Sequence, residues 1–142
     1  PRKRYSYYIT PKGFAEKAAL TAEYFASSYA FFRKSKSDCE LILNECLING
    51  IYDVILSDIS ELAEITILTS LESKINILGV IGQKKNSFNG INVYKNFSDL
   101  KKYDGIILTE VNKPQQRYND LLNTFASDKI FIPRILNVRI EK

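Results

Sequence analysis

The sequence predicts an α/β protein: a strand remnant and a long helix, then a small three-layer domain with a mainly parallel sheet. Three observations predict it. From residue 51 onward, short apolar runs such as Val54-Ile55-Leu56 and Ile106-Ile107-Leu108 alternate with amphipathic segments. Strands apolar on both faces belong to sheets covered on both sides, as parallel sheets are. Before residue 51, alanines and aromatics recur at helical steps of three and four.

Residues 10–34 read as the first helix. Thr10 can cap it, and Pro11 fits the first helical position, where its missing N–H is not needed. Ala18, Ala22, Phe25, Tyr29 and Phe32 follow at steps of 4, 3, 4 and 3 and form one apolar seam. Leu20, Tyr24 and Phe31 lie off that seam, so the helix wants partners on more than one side. The polar run Arg33-Lys34-Ser35-Lys36-Ser37-Asp38 predicts a kink or link near residues 35–37. Ser37 or Asp38 would then cap a second helix reaching Asn49. Cys39, Ile42, Leu43, Cys46 and Leu47 line its apolar side, and Gly50 suits a left-handed C-cap.

Beyond it, residues 52–58 read as a buried strand with a polar end. Residues 60–73 read as a helix capped by Ser60, with Glu61 and Glu64 in the first turn, where the helix dipole favours acids. Strands are expected at 75–81, 91–94, 104–109 and 129–133. Asn89-Gly90 marks a turn. A short helix is expected at 97–102, another from Lys113 or Pro114 to Ala126, and an edge segment at 135–140.

Composition narrows the class. At 142 residues the chain holds about one domain plus an appendage. Hydrophobic residues make up 45% and charged residues 25%, as in ordinary globular proteins. Apolar runs stay under ten residues, too short to span a membrane. The basic start leads into tyrosines rather than an apolar run, unlike a signal peptide. A cytoplasmic protein with no membrane partner is the expectation. The net charge of +4 is concentrated at Arg2, Lys3 and Arg4, at Arg33, Lys34 and Lys36, and at Lys84-Lys85. Cys39 and Cys46 lie two helical turns apart, too far for a disulfide within a helix, and read as small buried side chains of a reduced protein.

The residues Tyr8-Ile9-Thr10-Pro11-Lys12-Gly13-Phe14 resemble the "Y-x-L-T-x-K-G" junction that closes the wing in many winged helix-turn-helix (MarR-like) transcription regulators. The resemblance implies that residues 1–9 end a wing, with Arg2, Lys3 and Arg4 contacting DNA phosphates. The recognition helix would lie upstream of Pro1. Residues 10–36 would form a linker and dimerisation helix, with Ala18, Ala22, Phe25, Tyr29 and Phe32 as the dimer seam. Residues 37–142 would be a sensor or assembly domain.

That last part resembles small Rossmann-like domains of the nucleotide- or coenzyme A-binding kind. "Gly-Val-Ile-Gly", "Phe-Asn-Gly-Ile-Asn-Val-Tyr", "Phe-Ser-Asp-Leu" and "Tyr-Asp-Gly-Ile-Ile-Leu-Thr" carry the layout. The resemblance implies a pocket beyond the strands' carboxyl ends. Its candidates are Ser57, Asp58, Ser60, Glu61, Gly82, Thr109, Glu110 and Arg134. One departure matters: the turn Leu56-Ser57-Asp58-Ile59-Ser60-Glu61 has no glycine, and two acids stand where a pyrophosphate would sit. Ile81-Gly82 ends the next strand without the acid that would hold a ribose.

The chain has no histidine. Ser–His and Cys–His nucleophile pairs and ordinary Cys/His zinc sites are thereby absent. Asp58, Glu61 and Glu110 could cluster at the sheet edge, with Arg117 or Arg134 to offset them. No catalytic residue, metal site or cofactor is assigned. The reading is the regulatory and dimerisation portion of a DNA-binding transcription regulator, partnered by DNA and by a second copy, and admitting a small-molecule effector. The alternative is a stand-alone nucleotide- or nucleotide-sugar-binding domain derived from an enzyme.

Overall fold

The computed structural model describes residues 10–140. Residues 1–9, expected as the wing strand with Arg2, Lys3 and Arg4, lie outside the described residues. The chain divides into two compact units, one ending at Arg33 and one beginning at Lys34.

The first unit is helical from Pro11, as part of α1 (Pro11–Ile48). Its start is the one the sequence predicts. The Gly13 N–H donates to Thr10 Oγ1 at 3.0 Å, and the Phe14 N–H donates to the Thr10 carbonyl at 2.8 Å. The first bond satisfies one of the helix's unpaired first donors, and the second is the first bond of the helix itself. Its side chains are bare. Phe14, Leu20, Tyr24, Phe25 and Tyr29 are each 62–68% exposed. Ala18 and Ala22 are exposed too, and Phe32 is half-buried.

The expected break at residues 35–37 is not there: α1 continues unbroken to Ile48. The segment contains neither glycine nor proline, and Lys36 pairs with Glu40 one turn on at 3.1 Å. Ser35 and Asp38 are buried, on the same side as Cys39, Ile42, Leu43 and Cys46. The polar run is therefore helix interior, and Ser37 and Asp38 are not caps. Asn49-Gly50 ends the helix as expected. Gly50 takes φ +74°, the Gly50 N–H donates to the Leu47 carbonyl at 3.1 Å, and the Ile51 N–H donates to the Cys46 carbonyl at 2.8 Å.

The second unit is a six-stranded sheet with helices on its faces. The strands are β1 (Asp53–Leu56), β2 (Asn76–Ile81), β3 (Ser87–Phe88), β4 (Ile91–Tyr94), β5 (Gly105–Ile107) and β6 (Ile130–Phe131). Their order across the sheet is β3-β4-β2-β1-β5-β6. All neighbours are parallel except β3 and β4. Two helices join α1 in this unit: α2 (Glu61–Ser70) and α3 (Pro114–Leu121).

Alternation along the strands sorts side chains between two cores. Val54, Leu56, Val80, Ile107 and Phe131 pack with Ile42, Leu43 and Cys46 of α1 and Ala63 and Ile67 of α2. Ile106, Leu108 and Ile130 pack with Tyr118 and Leu121 of α3 on the other face. Phe97 and Phe125 extend that second core edge-to-face, with ring centroids 5.2 Å apart. Helix, sheet and helix make the three layers that the doubly apolar strands predict.

Most elements are trimmed by one to three residues at their ends relative to expectation, and four segments differ more. Strand β3 was not expected: two residues give no alternation to read. It pairs with β4 across Asn89-Gly90, where φ is +49° and +83°, so the turn signal is real. Helix α3 stops at Leu121 rather than near residue 126. Residues 97–99 form a single 3₁₀ turn. The segment expected as an edge at 135–140 instead carries a 3₁₀ turn, Arg134–Leu136, closed by Asn137 at φ +53°.

Both cysteines are free and buried. Burial pushes the Cys39 thiol up to about 11, although a 3.2 Å hydrogen bond with Thr66 Oγ1 acts the other way, and it pushes Cys46 up to about 12. Thiolate is the reactive form. Neither cysteine is expected to react with a thiol reagent at pH 7.5 within an hour, whereas both react at once in denaturant. Rapid modification of the native protein would show that α1 opens readily around them.

Candidate functional site

The strand order reverses between β1 and β5: β2 and β4 lie to one side, β6 to the other. In open parallel sheets this reversal leaves a crevice beyond the carboxyl ends, where ligands bind. Four of the candidate residues reach it because they directly follow those strands. Ser57 and Asp58 follow β1, and Thr109 and Glu110 stand just after β5.

They are bound to one another. The Ser57 hydroxyl donates to Glu110 and accepts from the Thr109 N–H at 2.9 Å. The Thr109 hydroxyl accepts from the Asp58 N–H at 3.0 Å and donates to the Asp58 carbonyl at 2.6 Å. Ser60 caps α2 by accepting from the Ala63 N–H at 3.0 Å, and its hydroxyl donates to the Thr109 carbonyl at 2.6 Å. Arg117, on α3, donates from Nη2 to the Ser57 carbonyl at 3.3 Å. Its Nε lies 2.8 Å from Glu110 Oε2, an ion pair outside hydrogen-bond geometry. Its guanidinium also sits 5.6 Å from the centre of the Phe97 ring.

The network ties the β1–α2 turn to the β5–α3 loop across the reversal. Ser57 and Thr109 are 1% and 0% exposed. Their hydroxyls are engaged by the chain itself, which leaves Ser57 no free approach for a substrate. Burial raises the carboxyls of both Asp58 and Glu110, while nearby hydrogen bonds and Arg117 act in the opposite direction.

A carboxyl raised by folding stabilises the native state fully below its unfolded value, near 4.5 for glutamate, and that contribution is lost as pH rises through the folded value. Glu110→Gln mimics the protonated acid. It is expected to match the native protein near pH 3.5 and to gain on it progressively toward pH 7. Urea midpoints of both proteins across that range test this, and a gap that shrinks with rising pH would contradict it.

The other three candidates stand apart from the network. Glu61 is exposed in the first turn of α2. Gly82 is a packing glycine: a Cβ there would come within 2.6 Å of Ile59 Cδ1 and 3.1 Å of Val93 Cγ1. Arg134 is exposed in the turn after β6. Arg117, not Arg134, meets the acids. The glycine-free turn and Asp58 stand where a phosphate cradle would be.

Surface clefts among the described residues lie elsewhere. One, of about 460 Å³, is lined by Gln115, Tyr118, Asn119, Leu122 and Arg139. There the Gln115 side-chain amide pairs with the backbone of Arg139, accepting from its N–H at 2.7 Å and donating to its carbonyl at 3.1 Å. This clamp has no sequence signature, since a solvent-side glutamine on a helix is unremarked. Another cleft, of about 400 Å³, is bordered by α1 and by α2 with the residues that follow it, Leu43, Leu47, Thr69 and Glu72 among them. Among the described residues, no group of three His, Cys, Asp or Glu side chains is placed to hold a metal ion. No described helix is long and apolar enough to cross a membrane.

No protein-family model matches this chain, and neither a curated protein nor a solved structure is significantly similar to it.

Proposed function

We propose that this chain is the regulatory and assembly portion of a DNA-binding transcription regulator. In this reading the DNA-contacting module precedes α1, and α1 joins two copies. The observation that carries it is the capped helix start at Thr10-Pro11, followed by a stretch to residue 30 in which Phe14, Tyr24, Phe25 and Tyr29 all face solvent. Such a helix is marginal alone and takes its stability from packing. A two-fold pair of protomers also matches the symmetry of common operators. The α/β unit then acts as a degenerate effector domain, its ligand crevice bridged by Ser57, Thr109, Glu110 and Arg117. A cytoplasmic location goes with this reading, and the two unpaired thiols support it.

The test is DNA binding by the whole gene product, measured by fluorescence anisotropy between 50 and 300 mM salt on fragments flanking its own gene. Binding whose logarithm falls linearly with the logarithm of salt concentration is expected. No binding at 50 mM salt would overturn the reading.

The strand reversal at β1 and β5 favours a second reading, a nucleotide- or nucleotide-sugar-binding domain from an enzyme. That reading requires a thermal shift with NAD, coenzyme A or a nucleotide sugar. The network at the crevice argues against it.

A further inference from the structure

The exposed part of α1 is not uniform along its length. Its apolar seam reads Ala15, Ala18, Ala22, Phe25, Tyr29, Phe32. The first half is small and the second half is aromatic. Phe25 and Tyr29 are 64% and 62% exposed, and no described side chain covers the alanines.

Two helices of this sequence can meet in two ways. Side by side in the same direction, each seam residue faces its own copy. Three layers then hold only alanine pairs and three hold only aromatic pairs, so one end is underfilled and the other crowded. Run in opposite directions and centred between Ala22 and Phe25, Ala22 faces Phe25, Ala18 faces Tyr29 and Ala15 faces Phe32. Every layer then holds one small and one large side chain. Knobs of one helix fill the space left by the other, as close packing requires.

We propose that two copies of this chain associate through an antiparallel pair of α1 helices, with the aromatic half of each lying on the alanine half of the other. The flanking positions fit: Ala19 and Ala26 on one side, Thr21 and Ser28 on the other, are short and uncharged, so the backbones can approach closely. Phe25 and Tyr29 of each copy, 64% and 62% exposed, each have on the order of 100 Å² to bury. Together with the alanine and flanking surface beneath them, the total approaches the ~1,000 Å² that specific association needs. The pairing is isologous, the closed two-fold arrangement commonest among homodimers.

The inference rests on α1 being the assembly element, and the experiment separates the two. Ala18→Cys and Tyr29→Cys are made singly; both positions are exposed, so neither change disturbs a buried contact. Within one helix they lie about 16 Å apart, and a disulfide needs Cα atoms within about 7 Å. The buried Cys39 and Cys46 stay reduced under mild oxidation. Light scattering at tens of micromolar is expected to give a dimer mass. Each variant alone is expected to form little covalent dimer, and an equimolar mixture to form a mixed disulfide in high yield. Ready cross-linking of Ala18→Cys with itself would show parallel helices and overturn this inference while leaving the assembly role of α1 intact. A dimer with no cross-link in the mixture would also overturn the pairing. A monomer, or a mass of three or more copies, would overturn the proposed pair outright, and the monomer would remove the assembly role as well.

Discussion

Thr109→Val is expected to lower the unfolding free energy by about 2–3 kcal/mol, more than its small change in shape suggests. Valine fills the same volume, so no cavity opens in this fully buried position. What is lost is the hydroxyl, which accepts from the Asp58 N–H at 3.0 Å and donates to the Asp58 carbonyl at 2.6 Å. Each buried polar group left without a partner costs about 1–3 kcal/mol, and the partial exposure of Asp58 places the sum toward the low end. Thr109→Ser is the control. It keeps the hydroxyl and removes one methyl group, for a loss of about 1 kcal/mol. Urea unfolding of the two variants and the native protein makes the comparison. If valine were tolerated as well as serine, the network would be incidental to stability.

The same comparison bears on what the crevice is for. In a ligand site, groups at the strand ends are held ready and left partly unsatisfied, so that the ligand completes them. Here Ser57 and Thr109 are already completed by Glu110 and Asp58. An effector entering at this point would have to displace bonds whose loss the valine variant measures.

The residues that could be read from the sequence are those whose signal is local. Thr10-Pro11 and Ser60 announce helix starts through hydrogen bonds that span three residues. Asn49-Gly50 and Asn89-Gly90 announce turns through the backbone angles they permit. The runs Val54–Leu56 and Ile106–Leu108 announce strands buried on both faces. Ser57, Asp58, Thr109 and Glu110 were placed together because polar residues after parallel strands must share one sheet edge. What the sequence could not state is that these four satisfy one another, since the bonds join residues more than fifty positions apart. Nor could it choose between Arg117 and Arg134 as the cation. The polar run at residues 33–38 misled for a related reason. Serine and lysine leave open which side of the helix is packed, and burial of Ser35 and Asp38 is decided by the unit that begins there.

Ala22→Glu is expected to dissociate the assembly while leaving the α/β unit untouched. Glutamate is a good helix former, so α1 is not weakened locally. Ala22 is exposed and precedes the α/β unit, so the unfolding midpoint of that unit should not move. In the proposed pair, however, the introduced carboxylate lies against the Phe25 ring of the other copy, and the two carboxylates stand on either side of the two-fold axis. Burying a charge without a partner is among the most unfavourable changes a small interface can receive. A weakening of the dimer by at least ~100-fold, roughly 3 kcal/mol, follows. Glu23, the next residue, offers the contrast: it lies off the seam, so Glu23→Gln should leave the mass unchanged. Light scattering over a dilution series reads both variants. A dimer that survives Ala22→Glu at micromolar concentration would mean that the seam faces solvent in the assembled protein, and that Leu20 and Tyr24, on the other side of the helix, make the contact instead.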